Sequence, residues 1–266
     1  MISILYLLFW SGFIYLMHLL INPLYFLPLW FILGIPFSFI MVVLFLLLHF
    51  PFLKLSRLDN PYKYYLSRST SHWLIVFFLR LKIKIHGQEN IPKGGILTVY
   101  ANHKSYVDPF IVFEFMNRPT TFTPKMSVYK APLIGFWLKS LGAFPIDRSS
   151  DRNTARAMVD AIKVVKSGMA MAIFPEGGIK DRDDEKMVAM RAGAYRVAMK
   201  AEADLLPVSI IGTSLVKKRA PWRSTTIEVL IHPVLPYKKI STMKTQDVAD
   251  MMFKLINQPI EQKGSK

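Results

Sequence analysis

His103 and Asp108 are the residues whose types and spacing point most directly to proton transfer. A carboxylate that holds one imidazole nitrogen leaves the other free to take a proton. Five residues apart, the two side chains would diverge by about 140° on a continuous helix of 3.6 residues per turn. A turn can fold the aspartate back onto the ring, and the flanking sequence reads as one. The apolar run 96–101 predicts a buried strand, and residues 109–116 predict a short helix. Pro109 disfavours helical backbone at Asp108 and suits a first helical position, so Asp108 is expected as the N-cap. The competing reading is a structural histidine–aspartate pair. A metal site has no support, because no further His, Asp or Glu stands nearby at ligand spacing. Ser105 as a nucleophile lacks the G-x-S-x-G elbow.

Two further stretches carry chemistry suited to an anion. In Gly142-Ala143-Phe144-Pro145-Ile146-Asp147-Arg148, an arginine after a short strand can clamp a phosphate with its fork of donors. A surface salt bridge from Arg148 to Asp147 or Asp151 is the alternative. Lys125, which opens the preceding helical region, is a second candidate for the same anion. In Phe174-Pro175-Glu176-Gly177-Gly178, a strand runs into paired glycines whose backbone N–H groups can face an anion or oxyanion. Glu176 is placed to bind a substrate hydroxyl, or else is a solvated glutamate in a tight turn.

The elements that must position these residues alternate. Strands are expected at 81–86, 96–101, 120–123, 169–174, 205–211 and 226–231. Helices are expected over 125–141 with a break at Pro132, over 151–166 capped by Asp151 or Asn153, over 188–203, and over 245–257. This alternation predicts an α/β domain, a mixed β-sheet flanked by helices. In such folds the sites gather where strands end.

The chain has 266 residues, enough for a membrane anchor and one sizeable domain. Residues 1–53 contain no Asp, Glu, Lys or Arg, and the net charge of +16 belongs to the rest. Residues 2–21 and 24–53 are two apolar stretches separated by Asn22-Pro23, each long enough to enter a bilayer. A helical hairpin buried in a soluble protein is the bland alternative. A signal peptide would need a basic start and an A-x-A-like site, both missing. The basic flank from Lys54 onward predicts that both ends of the hairpin lie in the cytoplasm. Residues 54–80 mix bases with aromatics, with Tyr62, Tyr65, Leu66, Trp73, Val76 and Phe77 near one helical face. They predict an interfacial helix, or an ordinary packing helix. The expected division is therefore 1–53 anchor, 54–80 basic-aromatic helix, and 81–266 α/β domain. An anionic membrane surface or an anionic substrate suits the charge. Nucleic acid is disfavoured, since the bases are scattered and carry no binding motif. The absence of cysteine excludes disulfides, thiolate metal sites and a cysteine nucleophile.

Taken together, Asn-His-x-x-x-x-Asp at 102–108, Gly-x-x-x-Ile-Asp-Arg at 142–148, Phe-Pro-Glu-Gly at 174–177 and Leu206-Pro207-Val208 resemble the four sequence blocks of the glycerolipid acyltransferase family, in the family's order. The apolar N-terminus resembles that family's two-helix membrane motif. The resemblance implies an enzyme that moves an acyl chain from acyl carrier protein or coenzyme A to the hydroxyl of lysophosphatidic acid. It implies His103 as general base, Asp108 as its orienting partner, Arg148 on the phosphate, Glu176 and Gly177 on the acceptor, and Pro207 near the acyl donor. Lys104, Lys125 and Gly178 are added on the charge and backbone arguments. No cofactor is expected beyond the thioester co-substrate, and the partners are membrane lipid and the acyl donor. The family's third block usually continues with a hydroxyl residue and then arginine, whereas Gly178, Ile179 and Lys180 follow here. That departure weakens the identity of the acceptor. Glycerol 3-phosphate or another lysophospholipid, a hydrolase using water, and a non-enzymatic lipid-binding scaffold are the rival readings.

Overall fold

The computed structural model of the protein describes residues 1–145, 151–179, 184–188 and 190–264. Two long apolar helices come first, α1 (Ile2–Leu20) and α2 (Leu27–Leu48). The break expected at Asn22-Pro23 is where the chain reverses. The hairpin is closely packed: Tyr6 donates to the Ile35 carbonyl at 3.2 Å and Trp10 Nε1–H to the Phe31 carbonyl at 2.9 Å. Gly34 is required there, because a Cβ would sit 2.4 Å from the Trp10 ring. Outward, the hairpin shows Leu8, Leu16, Leu19, Ile32 and Ile40, each more than half exposed. Two helices this long and apolar satisfy the dimensions of a bilayer, and little of either is covered by the rest of the chain.

A short helix α3 (Phe50–Leu55) leads to α4 (Pro61–His72), whose N-cap Asn60 accepts from the Tyr62 amide at 2.9 Å. A π-helical turn, Trp73–Phe78, extends α4. The predicted aromatic face divides. Leu66 and Trp73 are buried, while Tyr62, Tyr65 and Phe77 are exposed. Lys63 is buried as well, its ammonium donating to the carbonyls of Ser56 at 3.1 Å and Ser140 at 2.8 Å.

The strands β1 (Leu81–His86), β2 (Leu97–Ala101), β3 (Thr120–Phe122), β4 (Ala170–Ile173), β5 (Asp204–Ile211) and β6 (Thr225–Ile231) form one sheet in the order β1-β6-β5-β2-β4-β3. Strands β5, β2, β4 and β3 run parallel, β6 is antiparallel to β5, and β1 is parallel to β6. This is the mixed sheet that the sequence predicts. Both faces are covered, so β2 is buried at every residue. Its Leu97, Val99 and Ala101 pack toward α5 (Asp108–Phe115), and Tyr100 packs toward the other face.

After β3 come α6 (Met126–Tyr129) and α7 (Ile134–Ser140), the two halves expected on either side of Pro132. Residues 143–145 are not a strand. Phe144 only donates one backbone bond to the Phe122 carbonyl, at 3.2 Å. Helix α8 (Asp151–Lys166) matches its predicted span. The helix expected over 188–203 shrinks to a 3₁₀ turn, Ala192–Tyr195, and α9 (Arg196–Ala201). Upstream, Met187 pairs instead with the Asn257 side chain, its amide donating at 2.8 Å. The remaining helices are α10 (Val216–Arg219), α11 (Tyr237–Ile240) and α12 (Thr245–Gly264). The last runs past its predicted end and tolerates Pro259.

Arg118 braces the edge where β2, β3 and β4 begin. Its buried guanidinium donates to the carbonyls of Gly94 at 2.8 Å and Gly95 at 2.6 Å, ahead of β2, and of Gly168 at 2.5 Å, ahead of β4. One side chain thus fixes the relative height of the strands whose other ends carry His103 and Glu176. Arg118→Ala should cost about 2 kcal/mol or more, the scale for charged hydrogen bonds lost with their carbonyls left buried. The thermal midpoint checks this, and an Arg118→Lys protein should recover only part, since an ammonium cannot reproduce the planar fork.

Candidate active site

β2 and β4 are parallel neighbours, yet they send the chain to opposite faces of the sheet. β2 leads to α5, packed with Val99 and Leu206, whereas β4 leads toward α9, packed with Tyr100 and Met171. Such a reversal opens a crevice beyond the carboxyl ends of the two strands. His103 follows β2 into it and Glu176 follows β4.

The turn at 102–108 closes around one oxygen. Asp108 Oδ2 lies 2.8 Å from His103 Nδ1 and also accepts from the amides of Lys104 and Ser105, each at 2.8 Å. An ionised carboxylate only accepts, so Nδ1 carries the proton and Nε2 is left bare as the basic nitrogen. Phe174 stacks on the imidazole at 4.4 Å and 23°, which fixes the ring plane. The histidine side chain remains 16% exposed while Asp108 is fully buried. The base is therefore accessible and its partner is dry.

Asp108 is not the N-cap of α5. It is the first residue of the helix, with Val107 in the cap position. Its carboxylate reaches backward to the amides of Lys104 and Ser105, which precede it. Asn102 secures the start of the same turn. Its Nδ2 donates to the carbonyls of Ile210 at 2.7 Å and Glu185 at 3.1 Å, and its Oδ1 accepts from the Ile210 amide at 2.8 Å. Asn102 thereby ties the end of β2 to β5.

Glu176 neither faces solvent nor offers its carboxylate to a hydroxyl. It is fully buried, with Oε1 accepting from the His103 amide at 2.7 Å and Oε2 3.5 Å from Lys104 Nζ. Burial pushes its carboxyl above the usual glutamate range, and the bond from the His103 amide and the charge of Lys104 oppose that push. Lys104 is likewise buried. Both residues, expected on the substrate, are instead the support beneath His103. The physical reason is that Glu176 is compensated by the His103 and Val188 amides and by the charge of Lys104, which lies 3.5 Å away.

The other expected positions separate. Gly177 donates its amide to the Phe174 carbonyl at 3.0 Å, closing the turn, so this donor is spent internally. Gly177 and Gly178 have φ of 72° and 143°, values that favour glycine, and a Cβ on Gly178 would meet nothing within 4 Å. Among the described residues, Gly178 leaves open space beside the turn. Lys125 is exposed just beyond β3, on the same edge of the sheet as His103. Pro207 is buried within β5, opposite Tyr100 of β2, and does not reach that edge. Asp147, Arg148 and Lys180 lie outside the described residues.

Glu185 is not among the candidate residues that the sequence singles out. Its Oε1 accepts from the Ser214 amide at 3.0 Å, and burial raises its pKa, with nearby Asp108 adding to the rise after several hydrogen bonds that oppose it. A glutamate among Asp and Lys residues gives no sign that it folds inward.

Residues 82–211 match the family described as Acyltransferase. The chain is 28% identical to the 1-acyl-sn-glycerol-3-phosphate acyltransferase of Borreliella burgdorferi, over 68% of this chain and 72% of that protein. It is 30% identical to a 1-acyl-sn-glycerol-3-phosphate acyltransferase of Chlamydomonas reinhardtii over 59% of this chain, and the match spans 48%, about half, of that longer protein. The crystal structure of the 1-acyl-sn-glycerophosphate (LPA) acyltransferase from Thermotoga maritima shares the fold, with a TM-score of 0.63 over all of this chain and 92% of that one at 21% identity.

Removing one member of the buried Lys104–Glu176 pair should be worse than removing both. Glu176→Ala is expected to cost about 3–5 kcal/mol, the range for an uncompensated buried charge. Glu176→Gln keeps an acceptor for the His103 amide and should cost less. The double variant Glu176→Ala/Lys104→Met should be more stable than Glu176→Ala alone. Denaturation midpoints of wild type, Glu176→Ala, Lys104→Met and the double variant read the coupling, and strictly additive losses would mean that the pair is not coupled.

Proposed function

We propose that the chain is an acyltransferase of the family it matches over residues 82–211, and that it transfers a fatty acyl group from a thioester, acyl carrier protein or coenzyme A, to the free hydroxyl of lysophosphatidic acid, giving phosphatidic acid. The observation that carries the reading is the 2.8 Å contact of His103 Nδ1 with buried Asp108, at a strand end inside the matched region. In the proposed reaction the acceptor hydroxyl gives its proton to His103 Nε2 while its oxygen attacks the thioester carbonyl carbon. The tetrahedral oxyanion then collapses, the carbon–sulfur bond breaks, and the leaving thiolate takes the proton from the imidazolium. Asp108 stabilises that imidazolium, and the stack with Phe174 keeps Nε2 aimed. Arg148 is assigned the acceptor phosphate, with Lys125 on the same sheet edge as a second positive charge. The thioester is a co-substrate, and no other cofactor enters these steps.

The α1–α2 hairpin is assigned to the membrane, with the α/β domain on the cytoplasmic face beside the basic flank that starts at Lys54. An acceptor held in a bilayer would then reach the site without leaving the lipid surface. Homologue names that specify 1-acyl-sn-glycerol-3-phosphate support this acceptor over the rivals.

Two substitutions test separate parts of this reading. His103→Ala should lower acyl transfer by about 10² or more, the scale of general-base loss, with folding intact by circular dichroism. Wild-type turnover in that variant would remove the histidine from the chemistry. Arg148→Ala should raise KM for lysophosphatidic acid by roughly tenfold or more, and should not change KM for the acyl donor. A panel including glycerol 3-phosphate and lysophosphatidylcholine, assayed alongside, identifies the acceptor.

A further inference from the structure

The stretch that links β5 to β6 is basic and carries an exposed aromatic ring. Residues 205–227 contain four basic residues, Lys217, Lys218, Arg219 and Arg223, and no acidic one. At their centre stands Trp222, 85% exposed. The indole is presented by an ordered backbone: the Arg223 amide donates to the Arg219 carbonyl at 2.8 Å, and Arg80 donates to the Trp222 carbonyl at 3.1 Å. Arg80 adopts a left-handed φ of 57°, an uncommon conformation for a side chain of its size. The indole thus stands in the open on a fixed backbone.

Two contacts say where this hook lies. Arg80 stands two residues beyond Phe78, whose ring meets Phe39 of α2 at 5.6 Å and Trp73 at 5.4 Å. The hook is therefore tied to the base of the apolar hairpin. On its other side, Val216 and Lys217 line a cavity of about 450 Å³ together with Ser105, Tyr106 and Val107 of the catalytic turn. The same short segment thus touches the root of the anchor and the mouth of the site.

We propose that this hook is a second membrane contact, with Trp222 seated among the headgroups of an anionic bilayer and Arg219 and Arg223 on its phosphates. Tryptophan favours the membrane–water interface because its ring is apolar while its N–H is polar, and each Arg near an anionic surface adds to the attraction. An acidic protein surface would also take these charges and an indole, but the hook sits beside the root of the apolar hairpin, which favours a bilayer. A bilayer matches both the charges and the naked indole. The contact holds the cavity beside His103 against the lipid surface from which the acceptor rises. The inference rests on the membrane seating of the hairpin proposed above.

The test uses the full chain reconstituted in phosphatidylcholine vesicles with and without phosphatidylglycerol. Lipids brominated at shallow or deep acyl positions quench tryptophan, and the difference between wild type and Trp222→Phe isolates Trp222 from the other tryptophans. The expected result is quenching of the Trp222 component by the shallow bromine, stronger with phosphatidylglycerol and reduced in Arg219→Glu/Arg223→Glu. The double reversal should also raise KM for a vesicle-borne acceptor by roughly tenfold or more, and leave a short-chain soluble acceptor unaffected. A wild-type protein that floats with the vesicles while Trp222 stays unquenched overturns the hook and leaves the hairpin standing. Binding of acyl carrier protein lost in the double reversal, with quenching unchanged, also overturns it in favour of a protein partner. Failure of the wild type to float at all brings down the hairpin reading and the hook with it.

Discussion

A single carboxylate oxygen holds the functional end of this protein together. Asp108 Oδ2 accepts from the imidazole and from two backbone amides of the turn before it. The three bonds do different things. The amides shape the turn, and the ring bond selects the tautomer that leaves Nε2 basic. Because both jobs fall on one buried oxygen, the geometry of the base cannot change without opening the turn. This is pre-organisation in a literal sense: the histidine is oriented by the same contact that folds its loop.

The neighbouring strand supplies the rest. Glu176 leaves β4 and reaches across the crevice to the His103 amide, and it is held there by Lys104 from the same turn as the histidine. A fully buried ion pair is a poor stabiliser in itself, since desolvation offsets most of the attraction. Its value lies in register. The two charges can be compensated only when the ends of β2 and β4 stand at one relative height, and Arg118 sets that height from the opposite edge of the sheet. Asn102 does the same toward β5 with a fully satisfied amide. The site is thus clamped from both sides along the sheet edge, while its accessible face is left to the histidine and the open space at Gly178.

The apolar hairpin and the α/β domain are joined by packing as well as by sequence. The first residue of α1 is buried, its amide donating to Ser69 of α4 at 2.9 Å, and Lys63 hooks α4 to the end of α7. Through α4 and the π-helical turn, the anchor bears on the same face of the sheet that carries α5. The orientation of His103 relative to the hairpin is therefore a property of the folded protein rather than of a flexible tether.

Much of this was legible in the chain. The uncharged first 53 residues, the strand spans and the strand-to-helix turn at His103 follow from hydropathy period and from Asn-Pro, Gly and Pro punctuation, which act locally. The order of the sequence blocks marked the family, and the pairing of histidine with aspartate needed only a turn between them. The roles of Glu176 and Lys104 were not legible. Charged residues beside glycines read as solvated or substrate-facing, because composition does not reveal a partner brought from another strand. The helix expected over 188–203 begins late for a similar reason, since the amide of Arg191, inside that span, is taken by the Pro175 carbonyl beyond β4, at 3.0 Å. Glu185 gave no local sign at all. The sequence by itself determined which residues have the chemistry for proton transfer and which segment is uncharged and apolar, because both depend on residue type and short-range pattern. Only the tertiary structure decided which charges face the substrate and which lie beneath the base. That depends on the strand order β5-β2-β4, set by long-range pairing that no short stretch encodes.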